Sequence, residues 1–219
     1  MFPASDPCRV GKDGADILKK TLRASEQNRP DLARARKAWR RRQTGFDPAR
    51  LIFLDESGAK TNLTRLRGRA QRGQRVNGRC PAGHWQTLTM ISSIRLDGST
   101  ACMALEGTTD TESFRAYVRE VLLPTVRPGD IVVMDNLSPH KSDRTLALII
   151  NAGAQVLFLP AYSPDLNPIE KMWSKVKGLL RGAEARTPAD LITAIGHALM
   201  RVTPQDALGW FTSCGYSFC

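Results

Sequence analysis

The sequence predicts an α/β domain: a mixed sheet flanked by helices, with a basic helical arm ahead of it. Three observations carry that expectation. Short apolar runs of strand length, "LIFLD", "IVVMD" and "VLFLP", are interleaved with longer stretches of helical periodicity, the order that builds crossover connections. Two further runs, "WQTLTMISSIRL" and "STACMALEG", are joined by a turn at Asp97 and Gly98, which predicts an antiparallel hairpin. The chain of 219 residues is 42% apolar, enough for one sizeable core.

The elements follow in order. Residues 13–44 are expected to be helical but weakly amphipathic, since "LARARKAWRRRQ" is rich in Ala and Arg and poor in apolar anchors. Gly45 and Pro48 break that pattern. Residues 1–48 therefore read as a basic arm or linker and 49–219 as the folded domain. "LIFLD" is a short buried strand ending in Asp55. After a basic, Gly-rich stretch come the two hairpin strands. "TDTESFRAYVREVLLPTV" predicts a helix, with Phe114, Tyr117, Val118, Val121 and Leu122 at helical spacing. Pro128 and Gly129 turn the chain into the strand "IVVMD", which ends in Asp135. "KSDRTLALIINAG" is a helix stopped by Gly153, and "VLFLP" a further strand. Two last helices, "NPIEKMWSKVKGLLRG" and "TPADLITAIGHALMRV", each begin with a capping residue, Asn167 or Thr187, followed by Pro.

Composition excludes several classes. No apolar run approaches the ~18 residues of a membrane span, and "MFPASDPCRVGKDG" lacks the apolar segment of a secretory signal. Five scattered cysteines, Cys8, Cys80, Cys102, Cys214 and Cys219, do not form a disulfide framework, so a cytoplasmic setting is expected. "CPAGH" pairs Cys80 with His84, but no second pair follows at zinc-finger spacing. The net charge of +11 is uneven: residues 1–79 hold 20 Lys/Arg against 8 Asp/Glu, and residues 80–219 hold 12 against 13. Between 60 and 79 there are seven basic residues and no acid. That asymmetry points to a polyanionic partner, nucleic acid above all. Lys60, Arg65, Arg67, Arg69, Arg72 and Arg75 are the candidate phosphate contacts as a group.

Asp55 and Asp135 both end apolar strands. Placed side by side and parallel, those strands would bring both aspartates to the carboxyl edge of the sheet, where ligand sites of open α/β sheets gather. Clustered carboxylates repel and need a cation or a shared proton; Mg²⁺, which takes oxygen ligands, is the economical answer. Glu170 lies in the first turn after Asn167 and Pro168, on the face opposite Ile169, Met172, Trp173, Val176 and Leu180. A first-turn Glu is also a common capping feature. Three acidic donors together can hold two metal ions about 3.5–4 Å apart, the arrangement of phosphodiester chemistry.

"FLDESG", "VVMDNLSPHKS" and "LPAYSPDLNPIEKMWSKVK" resemble the three catalytic blocks of DDE transposases of the mariner superfamily, in its bacterial insertion-sequence branch. The 34 residues between Asp135 and Glu170 match that superfamily's interval, and "LRASEQNRPDLARARKAW" resembles its stretch ahead of the first Asp. The resemblance covers roughly residues 19–182. It implies a ribonuclease H-like fold and a cut-and-paste transposase catalytic domain, with Asp55, Asp135 and Glu170 as catalytic metal ligands for two Mg²⁺ ions, or Mn²⁺ in their place. It also implies double-stranded DNA as substrate (element ends, and target at TA sites) and a homodimer on that DNA, in a nucleoid-associated setting.

Asn136 and His140 are added to the DNA-contact candidates. Asn136 is expected to bond DNA, to orient Asp135, or simply to close a strand-end turn. His140 is expected to touch a phosphate or support the site, or to be a neutral histidine bonded to a turn. Glu56 is left out because alternation points it to the opposite sheet face, and Trp173 is assigned to the core. Full-length relatives carry helix-turn-helix units that are not recognisable here. The chain therefore resembles a second-frame product whose recognition helices come from a separate first reading frame. The alternative is an inactive, truncated transposase that only binds DNA or a partner. A host ribonuclease H or resolvase would share the fold, but "SPDLNPIE" argues against it.

Overall fold

The computed structural model describes residues 25–81 and 83–216. The start of the expected arm, with Cys8, and the C-terminal Cys219 lie outside the described residues. One five-stranded sheet runs in the order β3-β2-β1-β4-β5. Its strands are β1 (Leu51–Lys60), β2 (Thr87–Ile94), β3 (Thr100–Glu106), β4 (Ile131–Met134) and β5 (Gln155–Phe158). The first three form an antiparallel meander, and β4 and β5 join it in parallel beyond β1. This is the expected mixed sheet.

Helices cover both faces. On one lie α2 (Thr111–Tyr117), which runs on through a π turn at Val118–Leu122, and α3 (Asp143–Asn151). On the other lie α1 (Pro30–Gln43), α4 (Pro168–Ala183), α5 (Pro188–Leu199) and α6 (Pro204–Ser213). The central strand explains why two separate cores form. Leu51 and Phe53 pack with Trp39, Ile169, Met172 and Phe211, whereas Ile52 and Leu54 pack with Phe114, Tyr117 and Ile149. A strand buried on both faces has no use for polar alternation.

Two expectations change. β1 does not stop at Asp55; it runs to Lys60, because "ESGAK" finds antiparallel partners from Ile91 to Thr87 in β2. Asp55 therefore lies two residues past the last parallel pair, Phe53 with Val133, and inside its own strand. α6 was not expected. It starts with a capping box in which Thr203 Oγ1 accepts from the Asp206 amide and Asp206 accepts from the Thr203 amide.

Of the basic segment, α1 shows why its apolar anchors are so few. Its buried face is Arg36, Trp39 and Gln43, and two of these three are polar. The Trp39 indole donates to Tyr216 Oη at 2.9 Å, and Gln43 donates to the Gly215 carbonyl at 3.0 Å. This helix is fixed by specific polar bonds more than by an apolar stripe.

Candidate active site

The parallel register of β1 and β4 places Leu51 beside Ile131 and Phe53 beside Val133. Carried two residues further, the same offset sets Asp55 level with Asp135, just past the end of β4. Alternation along β1 turns Asp55 to the face covered by α4 and Glu56 to the face covered by α2. The first turn of α4 brings Glu170 to the same place. Its helix is held down by Ile169, Met172, Trp173, Val176 and Leu180, all buried, so the opposite side of the turn faces out. Asn167 occupies the N-cap position, but its side chain makes no capping bond, and Oδ1 is buried without a partner. The expected cap is absent there; at α5 Thr187 does accept from the Asp190 amide.

Asp55, Asp135 and Glu170 line one open cleft of about 440 Å³. Burial, with the charges of Glu170 and Asp135 adding to it, pushes the Asp55 carboxyl up to about 7. Burial and Asp135 likewise raise Glu170, against the pull of Lys177. Asp135 behaves oppositely. Burial opposes its ionisation, but His140 and the Leu137 amide, which donates to Oδ1 at 3.0 Å, outweigh it and hold the carboxyl below the usual range.

His140 is wholly buried, with its ring 4.3 Å from that of Phe114. Nε2 lies 3.1 Å from Glu56 Oε1, and Nδ1 lies 2.8 Å from Asp135 Oδ1, a close charge contact too bent for a straight hydrogen bond. Burial alone would lower its pKa; the two carboxylates push it up to about 9 instead, so it is an imidazolium at neutral pH. This corrects its assignment as a DNA contact: a side chain with no exposed surface, between two acids, cannot reach a phosphate. It also gives Glu56 a role that sequence reasoning missed. Glu56 does point away from the other acids, as alternation requires, and there it anchors the cation that holds Asp135. A histidine following an Asp by five residues was the available signal.

The exposed Asn136 lines the cleft and donates from Nδ2 to the Leu159 carbonyl at 2.6 Å, tying β4 to β5. The six basic candidates lie elsewhere. Lys60 ends β1, with Nζ 5.8 Å from the Trp85 ring centroid. Arg65, Arg67, Arg69, Arg72 and Arg75 are exposed on the long excursion between β1 and β2. Among the described residues none of the six pairs with a carboxylate. The excursion is pinned at its base, where Arg186 donates to the Thr61 and Leu63 carbonyls at 3.2 and 2.9 Å.

Chemically, the cleft offers three carboxylates and no thiolate, a donor set suited to a hard divalent cation. Among the described residues Asp55 and Glu170 have no cationic side chain in contact, and Asp135 keeps Oδ2 free of hydrogen bonds. Among those residues no three His, Cys, Asp or Glu side chains stand in a ready-made coordinating cluster. The residues fit the group by chemistry and by shared field.

A family model described as DDE superfamily endonuclease matches residues 50–192. No curated protein matches the sequence. Among solved structures, the Mos1 transposase paired-end complex with left transposon end aligns with a TM-score of 0.70 at 15% identity, over 91% of this chain and 63% of that one. The Mos1 strand transfer complex gives 0.72 at 16%, over 91% and 62%. The catalytic domain of Mos1 mariner transposase gives 0.58 at 13%, over 90% and 91%. The fold is thus that of a ribonuclease H-like transposase catalytic domain, and the chain spans about 63% of the longer Mos1 chain.

Proposed function

Since the chain belongs to the DDE superfamily of endonucleases, we propose that it is the catalytic part of a mariner-superfamily transposase, from the bacterial insertion-sequence branch. It cleaves DNA at an element's ends and transfers the freed strand to target DNA, at TA sites. One observation carries this reading: three carboxylates from distant parts of the chain line a single cleft, where the charges of Glu170 and Asp135 oppose the ionisation of Asp55 and that of Asp135 opposes the ionisation of Glu170.

Asp55, Asp135 and Glu170 are the residues that would hold two Mg²⁺ ions, or Mn²⁺. When bound, these ions activate water or a 3′-hydroxyl and offset charge on the leaving oxygen. The chain's own groups do the rest. His140 and Glu56 keep Asp135 ionised and turned to the cleft. Asn136 holds the ends of β4 and β5 together beneath the scissile phosphate and bonds DNA. Lys60, Arg65, Arg67, Arg69, Arg72 and Arg75 grip the duplex backbone. Residues 49–219 form the catalytic body, against which α1 packs through Trp39; it works as a dimer on DNA and takes its end recognition from a separate helix-turn-helix product. Its setting is the bacterial cytoplasm, at the nucleoid.

The test is cleavage of DNA bearing the element's ends with Mg²⁺ or Mn²⁺. Asp135→Asn and Glu170→Gln are expected to lose cleavage by at least about 100-fold while still retaining DNA. Equal cleavage by wild type and Asp135→Asn would refute the assignment. DNA binding with no cleavage by the wild type would favour the inactive-transposase alternative.

A further inference from the structure

Much of the cleft's lining comes from the loop from Pro160 to Asn167, which leads directly into the turn that carries Glu170. Nearly every polar hold on that loop comes from the N-terminal segment. Gln27 Nε2 donates to the Tyr162 carbonyl at 2.7 Å. The Arg36 guanidinium makes a fork to Asp165, at 2.9 and 2.7 Å, and donates to Ser163 Oγ at 2.7 Å and more weakly to the Tyr162 carbonyl at 3.4 Å. Trp39 holds Tyr216 Oη, which in turn donates to the Leu166 carbonyl at 2.9 Å. Thus Tyr162, Ser163, Asp165 and Leu166 are all held, directly or through one ring, from α1 and the turn before it.

Arg36 is the centre of this grip. It is only 9% exposed, although it is a guanidinium on a helix surrounded by exposed arginines. The held loop is not at rest on its own. Tyr162 has a φ of 55° without being a glycine, and the residue is 51% exposed at the cleft. A β-carbon-bearing residue keeps that conformation only where its surroundings impose it. Arg36 and Gln27 both bond its carbonyl.

We propose that Arg36 is a positioning residue for the acidic cleft: through Asp165, Ser163 and the Tyr162 carbonyl, it sets the loop that places Glu170. It rests on the nuclease reading only for its catalytic consequence; the mechanical link is independent of it. The guanidinium touches neither Glu170 nor the cleft, so it acts through the loop. Lysine would not substitute, because an ammonium cannot supply the planar fork and two further donors at once.

The test uses the full chain, comparing wild type, Arg36→Met, Asp165→Asn and the double variant. Amide hydrogen exchange should rise at least fivefold across 161–170 in Arg36→Met while β1 and β4 stay unchanged. Mn²⁺ affinity, measured calorimetrically without DNA, should fall at least fivefold. Nicking of supercoiled plasmid with Mn²⁺ should lose at least tenfold in rate with DNA affinity within twofold, and the double variant should lose no more than the worse single. Unchanged exchange at 161–170, equal Mn²⁺ affinity, or additive rate losses would each overturn the proposal. A wild type that binds Mn²⁺ but never nicks would instead remove the nuclease reading, and exchange and metal affinity would still decide the role of Arg36.

Discussion

Asp55 is held at a cost that no neighbouring cation relieves. Its folded pKa of about 7 stands above the ~3.9 of an unfolded aspartate. A raised acid means that the folded chain binds the proton more tightly, so stability is lost as pH climbs from about 4 towards 7. Asp55→Asn removes that cost. In the metal-free protein its Tm is expected to exceed wild type by roughly 3–8 °C at pH 8 and by little at pH 4, measured calorimetrically across that range. The reverse gain at low pH would contradict the burial described for Asp55. His140 is the opposite case, a buried cation between two acids. Removing it as His140→Leu leaves the half-buried Glu56 unpaired, at about 1–3 kcal/mol, read from the urea midpoint at unchanged slope. Tyr162 carries the other local cost, about 1–2 kcal/mol for a left-handed non-glycine residue.

At the scale of elements, α6 is fastened at its start. The Thr203–Asp206 capping box there is reinforced by Lys175 of α4, which pairs with Asp206. Thr203→Ala is expected to cost about 1 kcal/mol, a Tm fall of roughly 2–4 °C, with plasmid nicking unchanged. The signal was legible: "TPQD" at 203–206 repeats the "TPAD" that marks α5, and the capping rule that predicts α5 predicts α6 as well. That the three acids would meet in one cleft was legible because apolar strands and a Pro-anchored helix have fixed periodicities that aim them. The extension of β1 was not. Glu56, Ser57 and Gly58 have poor strand propensity, and only pairing with β2 overrides it. Arg36 was hidden for a similar reason: among nine Lys/Arg between 20 and 42, nothing local separates the buried one from the exposed.

Across the whole molecule, charge and topology act over longer distances. The excess of +11 is concentrated ahead of residue 80, and the exposed arginines between β1 and β2 are unpaired among the described residues. DNA affinity is therefore expected to fall steeply with salt. The triple variant Arg67→Ala, Arg69→Ala, Arg72→Ala should flatten the slope of log K against log salt by roughly 3 units if each meets one phosphate, as followed by fluorescence anisotropy. An unchanged slope would remove that stretch from the interface. The order of strands has a consequence of its own. The meander of β1, β2 and β3 joins chain neighbours, but the seam of β1 with β4 must close across 80 residues, and long closures are slow. Two like charges meet at its far end. A newly made chain would thus acquire its hairpins before its chemistry, and one caught halfway would hold plenty of sheet and no blade.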